Sequence, residues 1–354
     1  MPPYLVIGVG AGIAGAILFL TGGFGSPLLG IPLFFAALPV FLAGLGWGAV
    51  AAGIAALTGF LILTTASSFS AGIVFLVADG LAPAWLSYLA LLHNAPEAKK
   101  QLTPAEQARL ARKSVDLHPQ EESAEDDTVH ETEWYPPGAL IVWTAFVGAS
   151  VLVVAGLSTM LMGVDGGLEG SLHLLLADEL LEGRAIESSL QEMGLSADPK
   201  RILDLITLAL PAFGILVWSL ITLGSMWLAQ FILVRADQNL RPMPDLTQIE
   251  LPGFLMGLLG GALVLSFIPG SAAPLGGAIT IALFVPYFLL GLAVIHAISR
   301  GLAARIAVLA VFYVLLITTG WLIVPVGLVG LLEPWTQLRT RFARAEAPLG
   351  EEKD

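Results

Sequence analysis

Asp79 is the one charged residue among the first 92 positions, and it lies inside an apolar run with Gly80 and Pro83 close behind it. A carboxylate deep in a membrane costs at least about 2.5 kcal/mol on insertion scales, so it faces a cavity, a partner or water, or holds a proton. Those settings belong to proton-coupled or cation-binding chemistry. The alternative is that the span starts later and Asp79 caps a helix beginning near Pro83 at the membrane surface. Trp85 and Tyr88 follow on the same segment. They line a pocket with Asp79, or they anchor the helix at the interface as amphipathic aromatics do. Further along, Ser219, Thr222 and Ser225 recur at three-residue spacing with Gln230 below them. Such a stripe presents hydroxyls to a ligand, or bonds one helix to the next. Asp79, Trp85, Tyr88, Ser219, Thr222 and Gln230 are therefore the candidate substrate-binding residues.

Other chemistries lack their residues. His93, His118, His130, His173 and His296 are scattered, with no His-x-x-x-His or Glu-x-x-His pair, so neither a metal nor a cofactor is expected. His296 reads as an interfacial residue or as a proton relay. There is no G-x-x-x-x-G-K-[ST] loop, no G-x-S-x-G elbow and no cysteine. No nucleophile, base and orienting group assemble within the apolar segments, so the chain is not read as an enzyme. Gly10-Ala11-Gly12-Ile13-Ala14-Gly15 does fit the dinucleotide fingerprint, but that motif requires an acidic residue about 20 positions on. Small residues four apart, Gly8, Gly12 and Ala16, instead let helix backbones approach closely in lipid.

The elements that carry these residues are membrane helices. Of 354 residues 56% are apolar, 12% are charged where about 25% is usual, and 39 more are glycine. The net charge of −12 with scattered bases leaves no footprint for nucleic acid. Met1 to Ala78 holds no Asp, Glu, Lys or Arg, enough for three spans of about 20 residues. The start does not read as a cleaved signal peptide, since it has no basic n-region. Apolar runs fall near 4–20, 28–45, 48–66, 71–93, 139–162, 203–234, 251–268 and 276–298. A last run, 302–332, is too long for one span and splits at Thr319-Gly320. The expectation is an all-α polytopic transmembrane bundle of about ten spans (8–10), rich in Gly and Pro.

Charge divides that bundle. Of the 16 basic and 28 acidic residues, 15 lie in 95–135, 11 in 164–202 and 9 in 333–354. The organisation expected is an N-terminal membrane bundle of about four spans (1–94), then a cytoplasmic acidic loop with a short helix from Thr103 (95–137). A C-terminal bundle of about six spans (138–338) carries an outer-face amphipathic segment (164–202), and 339–354 is a cytoplasmic tail. With ten spans and both termini inside, 13 of the 16 bases fall on the cytoplasmic side, as the positive-inside rule requires. Leu172, Leu175, Leu176, Leu180, Ile186, Leu190 and Met193 recur at a helical period, the mark of a helix lying on the outer face or of a connector helix packed on the bundle. Prolines recur within apolar runs at Pro39, Pro211 and Pro286, the pattern of broken transporter helices or of ordinary kinks.

Several stretches resemble the YybS-like family of predicted bacterial membrane proteins, a domain of unknown function. They are Leu38-Pro39-Val40-Phe41-Leu42-Ala43-Gly44-Leu45-Gly46-Trp47-Gly48, Leu81-Ala82-Pro83-Ala84-Trp85-Leu86, Trp227-Leu228-Ala229-Gln230 running on to Asn239-Leu240-Arg241-Pro242, and Gly330-Leu331-Leu332-Glu333-Pro334-Trp335 followed by Arg339. The resemblance implies a membrane fold and brings no activity. More distantly, the Gly-rich first half is similar in style to substrate-binding subunits of energy-coupling-factor transporters and to the scaffold MreD, with no residue to carry over.

The reading that follows is a multi-pass bacterial inner-membrane protein that binds or transports a small-molecule or lipid-like substrate in its bundle. Its partners are the lipid bilayer, that ligand, and a protein subunit if an ATPase is required; nucleic acid is not among them. The rival reading is a membrane scaffold that recruits partners through 95–135 and the outer helix, with spans that only anchor.

Overall fold

The computed structural model describes residues 2–24, 30–94, 133–164, 167–177, 180, 185–192, 198–244, 249–269, 272–339 and 341–342. The acidic segment expected over 95–132, with its helix from Thr103, and the tail beyond 342 lie outside the described residues. Within them the chain is helical apart from one antiparallel ladder of two residues a side, β1 (His93–Asn94) with β2 (Glu133–Trp134).

In the N-terminal half, α1 (Pro3–Leu20) packs along α3 (Ala49–Ala66) through small residues. A Cβ at Gly8 would stand 2.8 Å from the Ala51 carbonyl oxygen, and one at Gly12 would stand 2.5 Å from that of Ala55. The fingerprint-like glycines are therefore helix-contact positions. Between these helices, a short 3-10 turn (Ile31–Phe35) leads into α2 (Leu38–Trp47), which Gly48 ends at φ +93°, a conformation costly to any residue with a Cβ. Ser68 caps the next helix by accepting from the Ala71 N–H at 3.1 Å. That helix, α4 (Phe69–Ala90), is continuous except for a π-helical turn over Leu76–Leu81. Asp79 thus lies mid-helix rather than at an N-cap. Phe75, fully buried, fills the slot that Gly15 and Gly59 leave open.

The second half comprises α5 (Pro137–Leu161), α6 (Gly167–Ala177), α7 (Ala185–Glu192), α8 (Pro199–Arg235), α9 (Phe254–Ser266), α10 (Ala272–Ile298), α11 (Arg305–Thr319) and α12 (Ile323–Thr336). Helix α10 is its centre, packed by α5, α8, α9 and α12. Contact with α12 is backbone-close, since Gly291 meets Val326 and Gly330 meets the Tyr287 carbonyl with no room for a Cβ. Glu333 closes α12 with its carboxylate, which accepts from the Leu338 and Arg339 N–H groups and pairs with Arg339 Nε at 3.0 Å. The halves join where α2 packs on α8 and where Trp85 of α4 meets Trp143 of α5, ring centroids 5.4 Å apart.

Over most of their described residues the apolar runs read from the sequence are helical, which makes the protein an all-α membrane bundle. Among the described residues six helices are long and apolar enough to cross a bilayer, α1, α3, α4, α5, α8 and α10, or seven if the bent pair α11–α12 is one span. The expected ten includes helices too short for a span. The 13 residues of α9 reach about 20 Å, against a hydrocarbon core of about 30 Å. Helices α11 and α12 bend by 119° at Gly320, φ +66°, where the sequence places a turn. Conversely α8, at 37 residues, is about 55 Å long and must extend beyond the core. Large apolar side chains such as Val6, Ile17, Leu61, Val154, Leu205, Val264 and Ile317 are exposed along these helices. That surface is unsuited to water and suited to lipid chains.

Of the outer amphipathic segment, α6 lies against α5 and α8 with Leu174 and Leu175 exposed, and α7 covers Ala185–Glu192. Pro39 sits in the first turn of α2, where its missing N–H costs nothing, and α8 and α10 run on through Pro211 and Pro286.

Candidate functional site

Helices α8 and α10 each present a stripe to a common space. On α8 it runs Leu220, Leu223, Gly224, Trp227, Gln230, and on α10 Leu289, Ala293, His296, continued by Arg300 just beyond the helix end, both at helical spacing. Between them, closed by Leu45 of α2, Ala90 of α4 and Pro137, Leu140 and Ile141 of α5, lies a cavity of about 530 Å³. Helix α5 runs antiparallel to α10, since Ile141 packs with Leu289 and Leu290 while Ala149 and Leu152 pack with Ala282 and Val285. Arg300 and Pro137 therefore belong to the same end of the bundle. The walls are apolar along the stripes, and Gln230, Arg241, His296 and Arg300 gather at that end. From Leu289 to Arg300 the stripe rises about 16 Å, half the thickness of a bilayer core.

Arg241 closes the cavity and is 5% exposed. It donates from Nη1 to the Ala90 carbonyl at 3.1 Å and from Nη2 to the Tyr135 carbonyl at 2.9 Å, tying the end of α4 to the start of α5. Its own carbonyl accepts from Gln230 Nε2 and from Asn239 Nδ2. Burial pushes its guanidinium below the usual arginine range, yet arginine keeps its charge in proteins. Among the described residues no carboxylate pairs with it. Its guanidinium also lies over the Trp134 ring, 5.9 Å from the centroid, and two of its five donors are used by carbonyls, so hydrogen-bonding capacity is left over and no anion among the described residues balances the charge. Arg300 is exposed in the 3-10 turn Ser299–Gly301, and His296 Nε2 lies 2.7 Å from the Tyr313 hydroxyl of α11.

The candidate residues read from the sequence fall in different places. Gln230 lines the cavity; Asp79, Trp85, Tyr88, Ser219 and Thr222 do not. Asp79 is half-buried in the π-helical turn, with no hydrogen-bond or ion partner among the described residues, while Trp218 Nε1 donates to the neighbouring Ala78 carbonyl at 3.3 Å. Trp85 and Tyr88 pack on each other, centroids 5.6 Å apart, and both stay exposed on the outside of α4. Ser219, Thr222 and Ser225 are buried, and the Ser219 hydroxyl has no partner among the described residues. No group of three or more His, Asp or Glu side chains within the described residues has the arrangement of a metal site. Arg241, Arg300 and His296 were not in the set drawn from the sequence as ligand residues. For His296 and Arg300 the one sequence signal is the passage from apolar to basic toward the end of α10; Arg241 has none.

A family model described as "Predicted membrane protein (DUF2232)" matches residues 130–333. The match spans β2 to the last turn of α12 and takes in Gln230, Arg241, His296 and Arg300, leaving only Leu45 and Ala90 of the cavity wall outside it. Of the stretches that resemble YybS-like proteins, Trp227–Gln230, Asn239–Pro242 and Gly330–Glu333 lie within it, and those at 38–48 and 81–86 lie before it. No curated protein and no solved structure matches the chain.

Proposed function

This chain belongs to the DUF2232 family of predicted membrane proteins, and from that premise we propose that it binds a lipid-like small molecule in the cavity between α2, α4, α5, α8 and α10. The reading rests on one observation: the cavity is a ligand-sized space, within the roughly 300–1,000 Å³ of typical sites, apolar along its walls and polar at one end. An empty apolar space of that size forfeits packing throughout its lining, so a bound chain stabilises the bundle. The protein acts by holding or passing that ligand rather than by transforming it.

The same end of the bundle carries Arg235, Arg241, Arg300 and Arg305. On the positive-inside rule it faces the cytoplasm, in a bacterial inner membrane with the N-terminus inside. Native mass spectrometry of gently extracted protein tests the reading, with Gly224→Leu as the control. A Cβ at Gly224 meets nothing within 4 Å, so the larger side chain enters the cavity without disturbing α8. The expected result is a stoichiometric lipid-like mass on the wild type that the variant lacks. A ligand-free bundle that retains a protein subunit, lost on deletion of 95–135, would establish the scaffold reading instead.

A further inference from the structure

We propose that the ligand is an anionic amphiphile from the bilayer, its phosphate held between Arg241 and Arg300 and its chain lying between α8 and α10. This deepens the cavity reading and rests on it. Burying a cation is costly unless an anion or a full set of acceptors compensates it. Arg241 has two backbone carbonyls and no carboxylate among the described residues, at the wall of a space large enough for a ligand. A phosphate supplies both the missing charge and the acceptors, in the planar, forked geometry that guanidinium matches best. Arg300 lines the same cavity from the 3-10 turn that follows α10, so two cations from segments distant in sequence border one space.

The apolar walls decide between a lipid and a free anion. A small anion needs no apolar stripe of about 16 Å, whereas an acyl or isoprenoid chain spanning one leaflet does. His296 and Gln230 add hydrogen-bonding groups beside the two arginines. A zwitterionic headgroup would bring a second cation into this cluster, against like charge.

The test uses the full chain in detergent micelles, titrated with phosphatidic acid, with phosphatidylcholine of the same chains, and with inorganic phosphate, bound mass being read by native mass spectrometry. Arg241→Met removes the central contact but also the tie between α4 and α5. Arg300→Gln, at an exposed position, is therefore the deciding variant. Phosphatidic acid is expected to bind the wild type more tightly than phosphatidylcholine, and Arg300→Gln to reduce that advantage by roughly tenfold, the scale of one charge-assisted hydrogen bond. Equal binding of the two lipids, with Gly224→Leu blocking both, would overturn the anionic assignment and leave the cavity reading standing. Inorganic phosphate displacing phosphatidic acid at equal concentration would overturn the lipid source. Binding of both lipids untouched by Gly224→Leu would remove the cavity reading and this inference together.

Discussion

Glycines of one helix provide the sharpest check on the packing, because Gly12 and Gly10 of α1 differ only in what they face. A Cβ built on Gly12 stands 2.5 Å from the Ala55 carbonyl oxygen and 2.6 Å from Thr58 Cβ, whereas one on Gly10 meets nothing within 4 Å. Comfortable non-bonded contacts lie at about 3.5–4.0 Å, so Gly12→Ala drives α1 back from α3 by about 1 Å. A gap of that size forfeits roughly a quarter to a half of each contact's well along the helix pair, and overpacking of this kind costs about 1–3 kcal/mol. Gly10→Ala meets no obstacle and gains the helix preference of Ala over Gly, about 0.5–1 kcal/mol. The helix preference is common to both substitutions, so the two variants should differ by the overpacking cost, roughly 1–3 kcal/mol, with Gly12→Ala the less stable. Gly8→Ala, whose Cβ would lie 2.8 Å from the Ala51 carbonyl, falls between them. Reversible unfolding in mixed detergent micelles, followed by circular dichroism, measures all three. Equal effects of Gly12→Ala and Gly10→Ala would refute the close approach of α1 and α3.

Three other perturbations have defined outcomes. Glu333→Gln weakens the closure of α12 by removing the charge opposite Arg339 Nε, at a cost of about 1.5–3 kcal/mol. A double-mutant cycle with Arg339→Gln should show the two as non-additive, and simple additivity would argue against the pair. Trp218→Phe deletes the donor to the Ala78 carbonyl, which should lower stability by about 0.5–1.5 kcal/mol and speed hydrogen exchange at 76–81 above that of 84–90. Uniform exchange along α4 would show that the contact does not hold the π-helical turn. Asp79→Leu replaces a half-buried carboxylate that has no partner among the described residues, and should raise stability in detergent by up to about 2.5 kcal/mol. A fall in stability would reveal a partner for that carboxylate.

How much of this was legible in the sequence follows from the range of each interaction. The charge-free stretch to Ala78 declares membrane helices because composition alone decides partitioning. The turn at Gly320 is readable because an apolar run exceeding the bilayer must break, and only glycine adopts its φ of +66° without strain. Small residues at 8, 12 and 16 announce a contact face but not its partner. The number of spans was harder, because hydropathy is summed over windows and does not register that α9 stops after 13 residues. A π-helical turn leaves no compositional trace beyond Gly80 and Pro83, so Asp79 was open to two readings, mid-helix or cap.

The cavity was hidden for a different reason. Sequence reasoning uses Arg241 and Arg300 as topology markers, and in that role every loop base is equivalent. The structure makes them unequal. Arg235 is exposed over the Phe231 ring, whereas Arg241, six residues later, is buried under the end of α4 by a bond to Ala90, 151 positions away. No local pattern encodes that separation. What local pattern does encode is the order of residues along α10, Leu289, Ala293, His296, Arg300. An ordinary helix emerging at a membrane surface shows the same order, so the stripe acquires meaning only when α8 leaves a space opposite it. Gly224 and its neighbours on α8 leave that space, and the buried charge of Arg241 closes it. The bases that orient the chain in the membrane therefore also provide its ligand site, and burial separates the two roles.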